Sequence, residues 1–188
     1  MRRPIAILAI LILAVSLVVF LLWQFRSPGD TTVGNLPILP GVDSTVLSKY
    51  PPREVPLGLQ EFRSDVYGFS LLYPQDFVVR VEDEGGGAST IMFENNKTID
   101  GFQIFIVPFE GSQITDDRFK RDIPSGVRKN IKNIQVDGAT GASFYSVDAS
   151  LGETAEVWFI RGGYLYEVNT FKDLDIQLSN ILATLKFL

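Results

Sequence analysis

The chain has 188 residues, carries a formal net charge of −5, and contains no histidine and no cysteine. The missing residue types exclude histidine-assisted nucleophiles, thiolate chemistry and ordinary zinc sites, and the acidic balance argues against nucleic-acid binding through phosphate neutralisation. Hydrophobic residues make up 46% of the chain, and their uneven distribution defines its parts.

From Pro4 to Trp23 only Pro4 and Ser16 fall outside the apolar set. At ~1.5 Å of rise per helical residue this run covers the roughly 30 Å hydrocarbon core of a bilayer. Pro4 sits in the first turn, where its missing N–H is harmless, and Trp23 sits where an interfacial aromatic belongs. Arg2 and Arg3 precede the run, so the positive-inside rule assigns residues 1–3 to the cytoplasm and everything beyond the run to the outside. A cleaved signal peptide has a shorter apolar core and a small-residue cleavage site. Leu21-Leu22-Trp23-Gln24-Phe25 offers no such site. The expectation is an uncleaved, single-pass signal anchor over residues 4–25 in the cell membrane. Residues 27–188 then hold 14 Lys and Arg against 22 Asp and Glu, an acidic extracytoplasmic module.

Residues 26–60 form the next part. Six of the ten prolines fall there (Pro28, Pro37, Pro40, Pro51, Pro52 and Pro56), with no sustained helical or alternating period. Proline biases its neighbours to extended backbone, so a semi-stiff spacer is expected.

Residues 61–188 suffice for one folded domain. Tyr67 to Pro74 and Phe77 to Val81 read as strands, Gly85-Gly86-Gly87 as a turn, and Thr90 to Phe93 as a further strand. Phe102 to Val107 is apolar on both faces, as a covered central strand would be. Thr115-Asp116-Asp117 opens a helix, with threonine as cap and acids at the positive end of the dipole. Pro124 interrupts that helix, and Val127, Ile131 and Ile134 are spaced to resume it. Ser143 to Ala149 and Thr154 to Arg161 are strands, the latter placing Ala155, Val157 and Phe159 on one face. Gly162-Gly163 is a two-residue hairpin turn, and Tyr164 to Thr170 returns from it. Leu174, Leu178, Ile181, Leu182 and Leu185 form one stripe of a closing helix, with Asp173 as its N-cap. This order predicts an α+β fold, an antiparallel sheet flanked by helices.

Tyr67-Gly68-Phe69-Ser70-Leu71-Leu72-Tyr73-Pro74-Gln75-Asp76-Phe77 resembles the opening hairpin of bacterial PsbP-like domains, whose usual pattern is Tyr-x-Gly-Phe-Ser-x-x-Tyr-Pro-x-x-Trp. This chain lacks the spacer before Gly68 and has Phe77 in place of tryptophan. Ile181-Leu182-Ala183-Thr184-Leu185-Lys186-Phe187 is similar to the family's closing Ile-Leu-Ser-Thr-Phe-Lys-Phe, and Val136-Asp137-Gly138 fits its middle section. The resemblance spans about 120 residues of the chain and rests on structural motifs. It implies an α/β/α sandwich. The family includes the extrinsic photosystem II subunit, and the fold recurs in a Ran-binding nuclear import factor; these are mainly accessory and binding proteins. No photosystem- or Ran-contacting residue is matched here, so the resemblance carries the fold alone.

Two clusters stand out as candidate sites. Arg118, Lys120, Arg121, Arg128, Lys129 and Lys132 concentrate six cations within fifteen residues. On an acidic background they form a local positive patch suited to an envelope protein or an anionic envelope polymer. The solvated face of an amphipathic helix accounts for the same residues. Glu82, Asp83 and Glu84 ahead of three glycines are hard-cation ligands by type, but they lack the alternating spacing of a calcium loop, and a solvated turn explains them as well. No catalytic residue and no cofactor is assigned: there is no phosphate loop and no Gly-x-Ser-x-Gly elbow. The leading expectation is a membrane-tethered, non-enzymatic binding or accessory module. The alternatives are an envelope hydrolase working through two converging carboxylates and a cation or small-ligand sensor.

Overall fold

A computed structural model describes residues 53–98 and 100–188. The expected cytoplasmic tail, the anchor over 4–25 and the stalk up to residue 52 lie outside the described residues. Among the described residues no helix is long and apolar enough to cross a membrane.

In chain order the elements are β1 (Leu59–Ser64), β2 (Phe69–Pro74), β3 (Phe77–Gly85), β4 (Ala88–Asn95), β5 (Gly101–Pro108), α1 (Asp116–Asp122), β6 (Lys129–Val136), β7 (Ala139–Asp148), β8 (Gly152–Arg161) and β9 (Tyr164–Phe171). A 3-10 turn (Lys172–Leu174), α2 (Asp175–Leu182) and β10 (Lys186–Phe187) close the chain. The first strand thus begins ahead of the boundary expected at 61. Arg53 already donates from Nη1 to the Thr184 carbonyl at 2.6 Å.

The strands form two antiparallel sheets, a seven-stranded one in the order β3-β4-β5-β9-β8-β7-β6 and a three-stranded one in the order β1-β2-β10. The small sheet and α2 cover one face of the large sheet. Phe69, Phe93, Ile104, Phe159 and Val168 are fully buried there. Phe93 stacks on Phe102 at 4.3 Å, and Phe159 stacks on Tyr166 at 4.9 Å. Such ring pairs add about 1 kcal/mol each beyond the area they bury. On the opposite face α1 packs a second, smaller cluster over Phe144, Trp158 and Leu165. Helices on both sides of the sheet match the expected α+β sandwich.

The two stretches that carry the family resemblance meet in space. Lys186 and Phe187 pair with Ser70 and Phe69 across β2 and β10, and the Leu188 N–H donates to the Gly68 carbonyl at 2.8 Å. Beyond this short ladder, Thr184 Oγ1 accepts from the Leu72 N–H at 2.8 Å and donates to the Ile181 carbonyl at 2.6 Å. One hydroxyl therefore satisfies a strand donor and a helix-terminal acceptor.

Three local expectations are corrected. Residues 127–134 are not a resumed helix, because 129–136 form edge strand β6. Asp137 and Gly138, at φ 44° and 80°, make a two-residue turn that folds β6 onto β7, and strand pairing overrides three apolar residues that fell at helical spacing by coincidence. Ile131 is consequently exposed, while Val136 is buried. Asp173 does not cap the last helix: it lies in the 3-10 turn, and the N-cap residue Leu174 makes no side-chain cap bond. β5 is central in the sheet but buries only Phe102, Ile104 and Ile106; Gln103, Phe105 and Val107 on its other face are half-buried. Thr115 does cap α1, accepting from the Arg118 N–H at 3.2 Å. Gly162 and Gly163 form the expected hairpin turn, at φ 61° and 83°.

Gly141 lies under an opposing strand. A Cβ there would meet the Trp158 carbonyl and sit 2.7 Å from Phe159 Cβ. Gly141→Ala should therefore lower stability by about 3 kcal/mol through backbone displacement. The shift in urea midpoint at unchanged slope measures it, and a change under about 0.5 kcal/mol would refute this account of the β7–β8 contact.

Candidate functional site

α1 has only seven residues and covers part of one sheet face. Phe119 stacks on Trp158 at 4.9 Å and meets Phe144 edge-on at 5.4 Å. Beside that lid no other described residue covers the face. Strand register puts Arg80 opposite Met92, Met92 opposite Gln103, Gln103 opposite Asn169, and Asn169 opposite Glu156. This single row crosses β3, β4, β5, β9 and β8. The period of two along each strand aims all five side chains to the same side.

Two cavities lie along the row and share Gln103 and Asn169. The outer one, of about 490 Å³, is lined by Arg80, Met92, Glu94 and Phe171 among others. The inner one, of about 370 Å³ and tucked against α1, is lined by Phe105, Ser146, Thr154, Glu156 and Glu167 among others.

Polar groups in the inner cavity are held firmly. The Glu156 carboxylate accepts from Thr154 Oγ1 at 2.7 Å and from the Trp158 indole N–H at 3.2 Å. Burial nevertheless pushes its pKa above the ordinary carboxyl value, against those two bonds. Glu167 accepts from Arg118 Nη2 at 2.7 Å, while Arg118 Nε faces Asp122. Burial raises the Glu167 pKa to about 7; the Arg118 bond opposes that rise and the neighbouring Asp122 carboxylate adds to it. Two acids sharing one buried guanidinium leave an excess negative charge, so a retained proton is the economical state.

The expected positive patch is dispersed. Arg118 is buried, at 9% exposure, and ties α1 to the sheet. Lys120 pairs with Asp117 at 3.7 Å, Arg121 with Asp122 at 3.0 Å, and Arg128 with Asp116 at 3.0 Å. The Arg128 guanidinium also lies over the Phe119 ring at 4.3 Å. Lys129 and Lys132 project from edge strand β6, with Lys132 on the rim of a separate depression beside Asp175. Glu82, Asp83 and Glu84 follow one another along β3 and do not converge. Asp83 accepts from the Gly85 N–H at 2.8 Å and Glu84 from Thr90 Oγ1 at 2.6 Å, both within the hairpin. Among the described residues no group of three or more acids is gathered as a metal site.

Sequence reasoning missed Gln103, Glu156, Glu167 and Asn169. Their signal was a polar residue recurring inside otherwise apolar strands, as in Phe102-Gln103-Ile104 and Ala155-Glu156-Val157. Such residues mark a sheet face that neither water nor core fully owns.

No family model matches the chain, and no curated protein matches it. Among solved structures it is similar to the solution structure of cyanobacterial PsbP (CyanoP) from Synechocystis sp. PCC 6803. The two are 14% identical, the match covers 74% of this chain and 99% of that one, and the TM-score is 0.52. The domain has a PsbP-like fold. At that identity the likeness establishes the architecture of the PsbP-like domain and nothing about its ligands.

The buried acids give the PsbP-like domain a defined pH response. Glu167 holds its proton to about pH 7 in the fold but to only ~4.3 when unfolded. The folded state binds more protons between those limits, so stability is full at the lower one and falls as pH rises through the window. Glu156 acts in the same direction. The depressed carboxyls of Asp137, Asp148 and Glu153 lose their contribution only at lower pH. Unfolding free energy should drop by on the order of 2 kcal/mol from about pH 5 to about pH 8, and Glu167→Gln should flatten that slope. A parent whose stability rises across the window contradicts the assignment.

Proposed function

We propose that this chain is a single-pass membrane protein whose PsbP-like domain stands outside the cytoplasmic membrane and works by binding, without catalysis. The observation that carries the reading is the asymmetry of the large sheet. Among the described residues, one face is sealed by a second sheet and a helix, whereas the other is covered only at one end by α1 and keeps an open, polar-lined row beside it. A covered face serves folding; a preformed concave face with fixed polar groups is where a partner is met. The acids in it are engaged by Thr154, Trp158 and Arg118, an arrangement that suits a fixed surface better than proton transfer. The apolar run from Pro4 to Trp23, with Arg2 and Arg3 before it, supports the tether and its orientation.

A photo-crosslinking residue at Gln103 in the cell should capture a defined partner, protein or polymer. One at Leu57, which is fully exposed and remote from the row in sequence, should not. A parallel probe at Lys132 tests the β6 edge. Adducts no stronger from Gln103 or Lys132 than from Leu57 would sink the binding reading. Protease added to cells stripped of their wall should digest the domain; protection would reverse the proposed orientation.

One observation favours a second reading. Glu156 and Glu167 lie on adjacent strands and project from the same face, as paired acids in a polymer hydrolase would. Turnover of a labelled wall polymer that is lost in both Glu156→Gln and Glu167→Gln would establish it in place of binding alone.

A further inference from the structure

The row on the open face defines the chemistry of what it binds. At the ~4.8 Å spacing between strands, Arg80 to Glu156 spans about 19 Å across five strands. Gln103 and Asn169 are directly opposite one another at its centre. Both are half-buried, and neither side-chain amide bonds to another described residue. Each therefore offers a donor and an acceptor at one point of the groove. At one end Arg80 and Glu94 pair with each other, so their two charges cancel. Met92 and Phe105 supply apolar floor between the polar groups. The surrounding domain is acidic and repels polyanions.

A ligand matching this row is long, narrow and uncharged, with groups that donate and accept alike, and with apolar patches between them. A sugar chain has those properties. Its hydroxyls pair with side-chain amides in either sense, its C–H faces pack on methionine and phenylalanine, and each ring advances the chain by a length close to the strand spacing. A peptide fits the row poorly. Each of its residues brings one backbone donor and one acceptor that need partners. The sheet's own backbone under the row is already paired strand to strand, which leaves two amides to meet them all.

We propose that the row Arg80–Met92–Gln103–Asn169–Glu156 is a binding groove for a neutral polysaccharide strand, with the Gln103 and Asn169 amides as its central hydrogen-bonding pair. This rests on the binding-module reading above and names its ligand class.

The test uses the full chain in a sugar-free detergent such as lauryldimethylamine oxide. Neutral hexasaccharides of several linkages, a polyphosphate and an unstructured decapeptide are each titrated by calorimetry and by saturation-transfer NMR. At least one neutral hexasaccharide should bind. Gln103→Leu with Asn169→Leu should weaken it by about tenfold or more, whereas Lys129→Glu with Lys132→Glu should leave it unchanged. Gln103→Glu with Asn169→Asp keeps the side-chain shape and should also weaken binding, which separates lost amide donors from altered packing; equal melting temperatures confirm that each variant folds. Sugar binding that survives both amide variants overturns the proposal. So does binding confined to polyphosphate or the peptide, or no binding by any hexasaccharide. If no sugar binds while a protein partner still crosslinks from Gln103 in cells, the sugar ligand fails and the binding module stands. If neither occurs and Lys132 gives no adduct either, both fall.

Discussion

The fold depends on a seam made by the last residues of the chain. Among the described residues β2 has β1 on one side, and on the other only the two residues of β10 and the Thr184 hydroxyl, with the Leu188 N–H bonded to Gly68 just ahead of it. Phe69 and Leu71 of β2 are fully buried against the large sheet, so whatever holds β2 in place holds the main core. Phe187 packs edge-on to Phe159 and Tyr166, and Asp137 clips the seam from outside by accepting from Lys186 Nζ and the Phe187 N–H. A contact between residues more than a hundred positions apart thus closes the lid on the core, the kind of non-local pairing that slows folding.

That lid gathers the larger of the two apolar clusters among the described residues. The opposite face receives a seven-residue helix, anchored by Phe119 on Trp158 and by one buried arginine. A helix so short has little intrinsic stability and persists through its packing. What it leaves bare is a set of polar side chains whose spacing is dictated by strand register. The open row is a consequence of how unevenly the chain covers its two faces.

The charges follow from the same economy. Cations clustered in sequence between 118 and 132 are drawn apart by the turn at Pro124 and the switch from helix to edge strand. Four of them are matched to local acids, and Lys129 and Lys132 project from β6 with no ion pair among the described residues. Meanwhile Glu156 and Glu167, eleven residues apart in the chain, come diagonally together on one face because β8 and β9 form a hairpin through Gly162-Gly163. Sequence proximity overstated one cluster and concealed the other.

The sequence by itself determined the strands β2 to β5 and β7 to β9, the capped start of α1, the glycine turn between β8 and β9, and an antiparallel sheet with helices packed on it. These are written in local periodicity, capping and turn chemistry, and the two motifs that meet at the seam are continuous stretches of chain. The tertiary structure alone decided that 129–136 is a strand, that the first strand opens at Leu59 and the last one closes on β2, and which polar residues share the open face. The physical reason is that a strand is stabilised by its neighbours. Its pairing partner, its register and the face left uncovered are properties of the assembled sheet, and no window of sequence contains them.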